Sequence, residues 1–206
     1  MNARPFLAVM DPPWTADNGG GGRGAQNHYK LTSVAGIADA VTSSPLWVSD
    51  GPALVWMWAT SRALVTGDAF ALAALLGVRP CAGFVWAKVD DHVVIEQDHD
   101  GTTRVGTMPP RKPGLGQWQR TEHEHLLVCR RGSLQVPAPP GRSRSVIYAP
   151  RGIHSAKPEE AWRVIESTSH SAIGRACGVE FFARSVRPGW AAMGTLNGDD
   201  VVVTLE

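Results

Sequence analysis

Asp11-Pro12-Pro13-Trp14 joins a carboxylate, two residues of restricted φ and a flat aromatic ring, directly after the apolar run Phe6–Met10. One task to which that combination is suited is the handling of an exocyclic amine on a purine. Such an amine is a poor nucleophile because its lone pair is delocalised into the ring. A carboxylate and a backbone carbonyl that each accept one N–H localise the lone pair and aim it. Proline helps because it fixes φ near −65° and offers a carbonyl without a competing N–H. A neighbouring aromatic holds a flat base by stacking. The position is also apt, since ligands of open α/β sheets bind beyond the carboxyl ends of strands. Taken alone, the tetrapeptide reads equally well as a Pro-Pro turn capped by Asp11.

Other residues carry weaker chemical signals. The glycine-rich stretch from Asp17 to Ala25 lacks the Gly-Lys-Ser/Thr of a phosphate-binding loop, so nucleoside triphosphate hydrolysis is not expected. It reads either as a lid over a base pocket or as a plain flexible turn. His123 and His125 lie near Cys129, but the spacing matches no standard zinc site, and no metal is expected. On a strand the two histidines share one face and Glu124 takes the other. His154 reads as either structural or substrate-contacting. Trp56, Trp58 and Trp86 lie in apolar runs and are expected in the core, whereas Trp118 follows a glycine-rich turn and is expected to face nucleic acid.

The elements that must position these residues follow from apolar patterning. Phe6–Met10, Leu54–Trp58, Gly83–Lys88, His125–Cys129, Ser145–Tyr148, Val179–Phe182 and Val201–Leu205 read as strands. Helices are expected from about Ser33 to Val41, from Arg62 to Leu76 with Leu64, Phe70 and Leu75 turned inward, and from Pro158 to Ser167. The stretch from Asp90 to Pro113 breaks the pattern, with a small hairpin of Val93–Ile95 and Thr102–Val105 as its only regular part. Continuous apolar strands alternating with helices predict an α/β fold, a mainly parallel sheet with helices on both faces.

Composition bounds the function. The chain has 206 residues, 20 Lys+Arg against 19 Asp+Glu, and 43% hydrophobic residues. Those values fit a globular domain and exclude a uniformly basic protein. Three widely spaced cysteines do not make a disulfide-stapled scaffold. No apolar run approaches a membrane span and Met1–Val9 does not read as a signal peptide, so a cytoplasmic protein is expected. The charge is unevenly spread: residues 104–163 hold eleven lysines and arginines against four glutamates. If that segment gathers near Asp11, phosphate contacts there make nucleic-acid binding salt-sensitive.

The motifs in order are MDPPW at 10–14, GGRGAQNHY at 21–29, WATSRAL at 58–64, FVWAK at 84–88, GLGQW at 114–118, EHLLVCRRG at 124–132, APRGIHSAKPEE at 149–160, VEFFAR at 179–184 and RPGW at 187–190. This series resembles the MT-A70 family of N6-adenine methyltransferases, which use S-adenosylmethionine (SAM), and it looks most like the bacterial and phage members. The resemblance implies a Rossmann-like methyltransferase fold over residues 1–206 as one domain, with the catalytic motif ahead of the cofactor segment and a substrate-facing insertion at about 90–113. It assigns Asp11, Pro12, Pro13 and Trp14 to catalysis, with Asp11 also beside the cofactor. Tyr29, Glu124 and Trp118 fall on the substrate side, and Lys157 lies between base and cofactor. Glu180, Phe182 and Arg184 match cofactor positions, where a carboxylate suits the two ribose hydroxyls. Where relatives commonly have Gly-Asn, this chain has Gly194-Thr195-Leu196-Asn197, so Thr195 or Asn197 takes the cofactor-adenine contact. The implied partner is nucleic acid, DNA more than RNA, by a protein that is a monomer or a homodimer. An RNA adenine methyltransferase and a catalytically inactive nucleic-acid-binding subunit are the alternatives.

Overall fold

A computed structural model describes residues 5–14, 33–89, 93–97, 103–107, 120–137, 142–152, 156–196 and 199–204. The elements in chain order are β1 (Phe6–Met10), α1 (Val34–Thr42), β2 (Ala53–Ala59), α2 (Ser61–Val65), α3 (Asp68–Leu75), β3 (Arg79–Lys88), β4 (Val93–Gln97), β5 (Thr103–Thr107), β6 (His123–Arg131), β7 (Val146–Ala149), α4 (Glu159–Ile173), β8 (Val179–Ala183), β9 (Ala191–Leu196) and β10 (Asp199–Val203).

Eight strands form one sheet in the order β10-β9-β8-β1-β2-β6-β3-β7, while β4 and β5 pair with each other alone. The β1–β2, β1–β8, β8–β9 and β3–β7 pairings are parallel. Strand β6 runs antiparallel between β2 and β3, and β10 is antiparallel to β9. Strands β1 and β2 are buried along their whole length, as continuous apolar runs covered on both faces should be. One face packs on α1, α2 and α3 through Ile37, Val41, Ala63, Leu72 and Ala73. The other packs on α4, where Trp56, Trp58, Trp86, Trp162 and Trp190 build an indole-rich core.

The expected helix from Arg62 to Leu76 is two helices. Gly67, at φ 86°, ends α2 and redirects the chain into α3. The inward face therefore shifts to Ala69, Leu72 and Ala73, and Phe70 and Leu75 are about half exposed. Helix α4 runs six residues beyond the expected Ser167. Its polar second half looked like an ending, but Ser169 is fully buried and accepts the Trp56 indole N–H at 2.9 Å.

Candidate active site

The reversed direction of β6 is what assembles the site. Its register with β2 pairs Ala59 with His125 and Leu54 with Arg130. The beginning of β6 therefore lies at the sheet edge where β1 and β3 end, which brings Glu124 to the same edge as Asp11 and Lys88. The chain entering α4 adds Lys157 from above that edge.

The four residues form a continuous line of alternating charge. Lys88 Nζ donates to Glu124 Oε1 at 2.5 Å, and Lys157 Nζ bridges Glu124 Oε2 at 2.7 Å and Asp11 Oδ1 at 3.0 Å. Arg184 stands 3.8 Å from Asp11 Oδ2. Each ammonium also lies over an indole, Lys88 over Trp86 and Lys157 over Trp58, both at 4.9 Å. Burial works against the Glu124 carboxylate, yet Lys157 and Lys88 overcome it and hold its pKa down at about 2. Burial likewise opposes the charge on Lys157, but Asp11 and Glu124 together raise its pKa. The two middle members of this line, Glu124 and Lys157, therefore hold each other in their charged forms.

Glu180 behaves in the opposite way. Burial, with the nearby Asp11 charge, raises its pKa to about 7 despite Arg187 and Lys157. It lines a cavity of about 360 Å³ with Asp11, Trp58, Lys157, Phe182 and Arg184. Phe182 is the extra residue where the β8–β9 register shifts, and its φ of 62° is rare for a side chain of this size. Such bulges cluster beside functional sites, where the backbone strain is held by its surroundings. Arg187 closes the outer wall, clamped by Glu159 at 2.7 and 2.9 Å and by Glu166 at 2.9 Å.

The Asp-Pro-Pro-Trp segment is a preformed turn. The Trp14 N–H donates to the Pro12 carbonyl at 2.8 Å, so this carbonyl keeps one lone pair for a ligand. A proline between donor and acceptor suits such a tight i→i+2 turn. The Trp14 indole donates to the Trp58 carbonyl at 3.0 Å, which fixes the ring at the sheet edge.

The sequence model of the MT-A70 family matches residues 6–196. The chain belongs to the MT-A70 family. Among curated proteins no significant sequence match is found. Membership carries with it the Rossmann-like α/β methyltransferase fold, here an eight-stranded, mostly parallel sheet. It also indicates a methyltransferase kind of function, in a family that typically uses SAM and acts on nucleic acid.

The MT-A70 cofactor fits the residues present. Trp58 Nε1 is buried without an acceptor among the described residues, and its ring lines the cavity. A buried indole N–H without a partner invites an anionic or carbonyl oxygen from a ligand. Lys157 and Arg184 supply cations for a carboxylate, and Glu180 supplies an acceptor for hydroxyls.

Of the residues singled out in the sequence, Asp11, Trp14, Glu124, Lys157, Glu180, Phe182 and Arg184 meet at this edge. Tyr29, Trp118, His154, Asn197 and the glycine-rich stretch lie outside the described residues, and Thr195 is on β9. Lys88, Trp58 and Arg187 were missed as site residues. The position of Lys88 at the end of a predicted strand was the available signal. Trp58 is indeed core, only 1% exposed, but its N–H has no partner there. His123 and His125 meet edge-on, with both Nε2 atoms within 3.4 Å of Ser61 Oγ on the opposite sheet face. Among the described residues no three His, Cys, Asp or Glu side chains group as metal ligands, and no helix is long and apolar enough to cross a membrane.

Among the described residues the basic segment does not gather only near Asp11. Lys157 is there, but Arg130 and Arg131 end β6 at the opposite edge of the sheet. The reversal of β6 separates them, with six residues of strand spanning about 20 Å.

Proposed function

We propose that this chain uses SAM to methylate N6 of adenine in nucleic acid, DNA in preference to RNA, within a cytoplasmic setting. The observation that carries the reading is Asp11: it leaves the end of β1 beside the free lone pair of the Pro12 carbonyl, and Lys157 holds its carboxylate next to a cavity that fits the cofactor. When bound, SAM supplies an electrophilic methyl on a sulfonium. Asp11 and the Pro12 carbonyl each accept one N–H of the target amine, which localises its lone pair. Trp14 is held flat for stacking against the base. Lys157 and Trp58 Nε1 bind the cofactor carboxylate, and Glu180 accepts from its ribose hydroxyls. Positioning of this kind supplies about 7–11 kcal/mol of a two-reactant barrier. The base is flipped or splayed out, since N6 within a duplex is paired inside the stack. No covalent enzyme intermediate is needed, in keeping with three free cysteines, of which Cys129 is buried and its thiol pushed up to about 12 by burial and the nearby Cys81.

The preference for DNA rests on the likeness of the motif series to bacterial and phage members. Transfer of labelled methyl from SAM to matched DNA and RNA oligonucleotides, followed by nucleoside analysis, tests the whole reading. N6-methyladenine in the DNA product is expected; label on RNA alone overturns the polymer preference, and label on no nucleic acid overturns the reaction.

A further inference from the structure

A second cavity, of about 450 Å³, lies at the edge of the sheet opposite Asp11. Leu54 near the start of β2 and Arg130 near the end of β6 lie there, and the second half of α4 roofs the space with Thr168 and Ala172. Its inner wall is apolar, made by Leu54, Phe84, Val128 and Leu134. Into this setting the fold places two guanidinium groups: Arg130 and Arg142 line the cavity, and among the described residues none that line it is Asp or Glu.

Arg130 is the informative group. Its Nε is shut off from solvent and has no hydrogen-bond partner among the described residues. A buried N–H of a charged group without an acceptor is strongly unfavourable, and native proteins rarely leave one. Arg142 spends its Nε on the Pro137 carbonyl at 3.0 Å. The Ser143 and Thr168 hydroxyls share one hydrogen bond at 3.3 Å, and the Cys81 thiol donates to the Val128 carbonyl at 3.3 Å. Among these groups of the described residues the Arg130 Nε is the buried donor without an acceptor. Cavities of this size with apolar walls and few polar groups are the usual form of small-molecule sites.

We infer that this cavity is a binding site, separate from the Asp11 site, for a small anion carried on a flat apolar body, with the anionic group on Arg130 and Arg142 and the body against Leu54, Phe84 and Val128. A bidentate fork of N–H donors suits carboxylate, sulfonate or phosphate oxygens alike. The inference stands on this cavity alone and does not depend on the reaction proposed above.

The test is titration of the full chain with 8-anilinonaphthalene-1-sulfonate, read by fluorescence and by the shift in Tm. One saturable class is expected, weakened at least tenfold by Arg130→Met, weakened less by Arg130→Lys, and unchanged by Asp11→Ala at the other edge. Without dye, Arg130→Met is expected to melt at or above the wild-type temperature, because it removes an unsatisfied buried donor and keeps the aliphatic stem. A Tm several degrees lower identifies Arg130 as a structural group and overturns the proposal. So does equal dye binding by wild type and Arg130→Met. Displacement by 4-phenylbutyrate, but not by the same concentration of inorganic phosphate, is the expected competition. Equal displacement by phosphate alone removes the apolar half of the site.

Discussion

The two edges of the sheet are built on opposite electrostatic plans. At the edge where β1 ends, cations and anions alternate from Lys88 through Glu124 and Lys157 to Asp11, each within 3.0 Å of the next. At the far edge Arg130 stands in an apolar cavity with no carboxylate among the described residues that line it. The first plan fixes the Asp11 carboxylate before any ligand arrives, so that the proposed reaction needs little rearrangement. The second leaves a buried N–H donor of Arg130 without an acceptor among the described residues, which is tolerable only at low cost to the fold or with a ligand in place. Charge inside a protein thus has two uses, and the partners of each group tell them apart.

The sharpest way to break the comparison is to remove Asp11, the centre of the first edge. Asp11→Ala is expected to lower methyl transfer by about 10²–10³-fold, the scale for loss of one preorganised polar group at a reacting centre. Single-turnover transfer of labelled methyl measures it, and transfer at the wild-type rate would remove Asp11 from the chemistry.

Lys157→Met separates the edges by stability. It leaves Asp11 and Glu124 without their shared cation in a largely buried position, a loss of the order of 3 kcal/mol and a Tm lower by roughly 6–12 °C. Arg130→Met at the far edge is expected to leave Tm unchanged or higher. If both variants melt alike, the edges do not differ in the way their ion pairing implies.

Two glutamates of the first edge titrate in opposite directions. Glu124, held down at about 2, is ionised before its unfolded counterpart. Its contribution to stability is present above about pH 4.5 and is lost as pH falls toward 2. Glu180, raised to about 7, binds its proton more tightly in the folded chain, so stability from this group declines as pH rises from about 4.5 to 7. A ligand whose hydroxyls donate to the ionised Glu180 reverses that cost. SAM affinity is therefore expected to rise with pH up to about 7, by at most about tenfold per unit. Calorimetry at pH 6 in buffers of different ionisation enthalpy should show a proton released on binding. Glu180→Gln should abolish both the release and the slope.

The sequence made the first edge partly legible. Five apolar residues stopped by two prolines place Asp11 at a strand end on local grounds alone, and the alternation of a strand separates Glu124 from His123 and His125. What local patterning does not contain is the direction of β6. Whether Glu124 meets Asp11, and whether Arg130 is sent away from it, depends on that one long-range pairing. For the same reason local patterning leaves open whether the basic segment gathers near Asp11, and among its described residues Lys157 and Arg130 lie at two different edges. The break at Gly67 was hidden because Leu64, Phe70 and Leu75 can be counted as one helical stripe only if the helix is continuous. Phe182 gave no warning of its positive φ, since nothing in Val-Glu-Phe-Phe-Ala distinguishes a bulged strand from a regular one.

The smallest expected effect refines the comparison, because it concerns neutral hydrogen bonds rather than charges. Trp14→Phe keeps an aromatic face for the base but removes the donor to the Trp58 carbonyl. The loss is expected to be about 1 kcal/mol, the usual net value of one such bond. Ser143→Ala, which breaks the hydroxyl pair with Thr168 at the far edge, should stay within about 0.5 kcal/mol as a substitution outside any special feature. Urea unfolding at matched m-values measures both. The Trp14 bond ties the catalytic segment to β2, so it should also show in transfer: kcat falls while the KM for nucleic acid stays near its wild-type value. If KM rises and kcat is kept, Trp14 contributes base affinity rather than alignment, and the first edge is less preorganised than its ion pairs suggest.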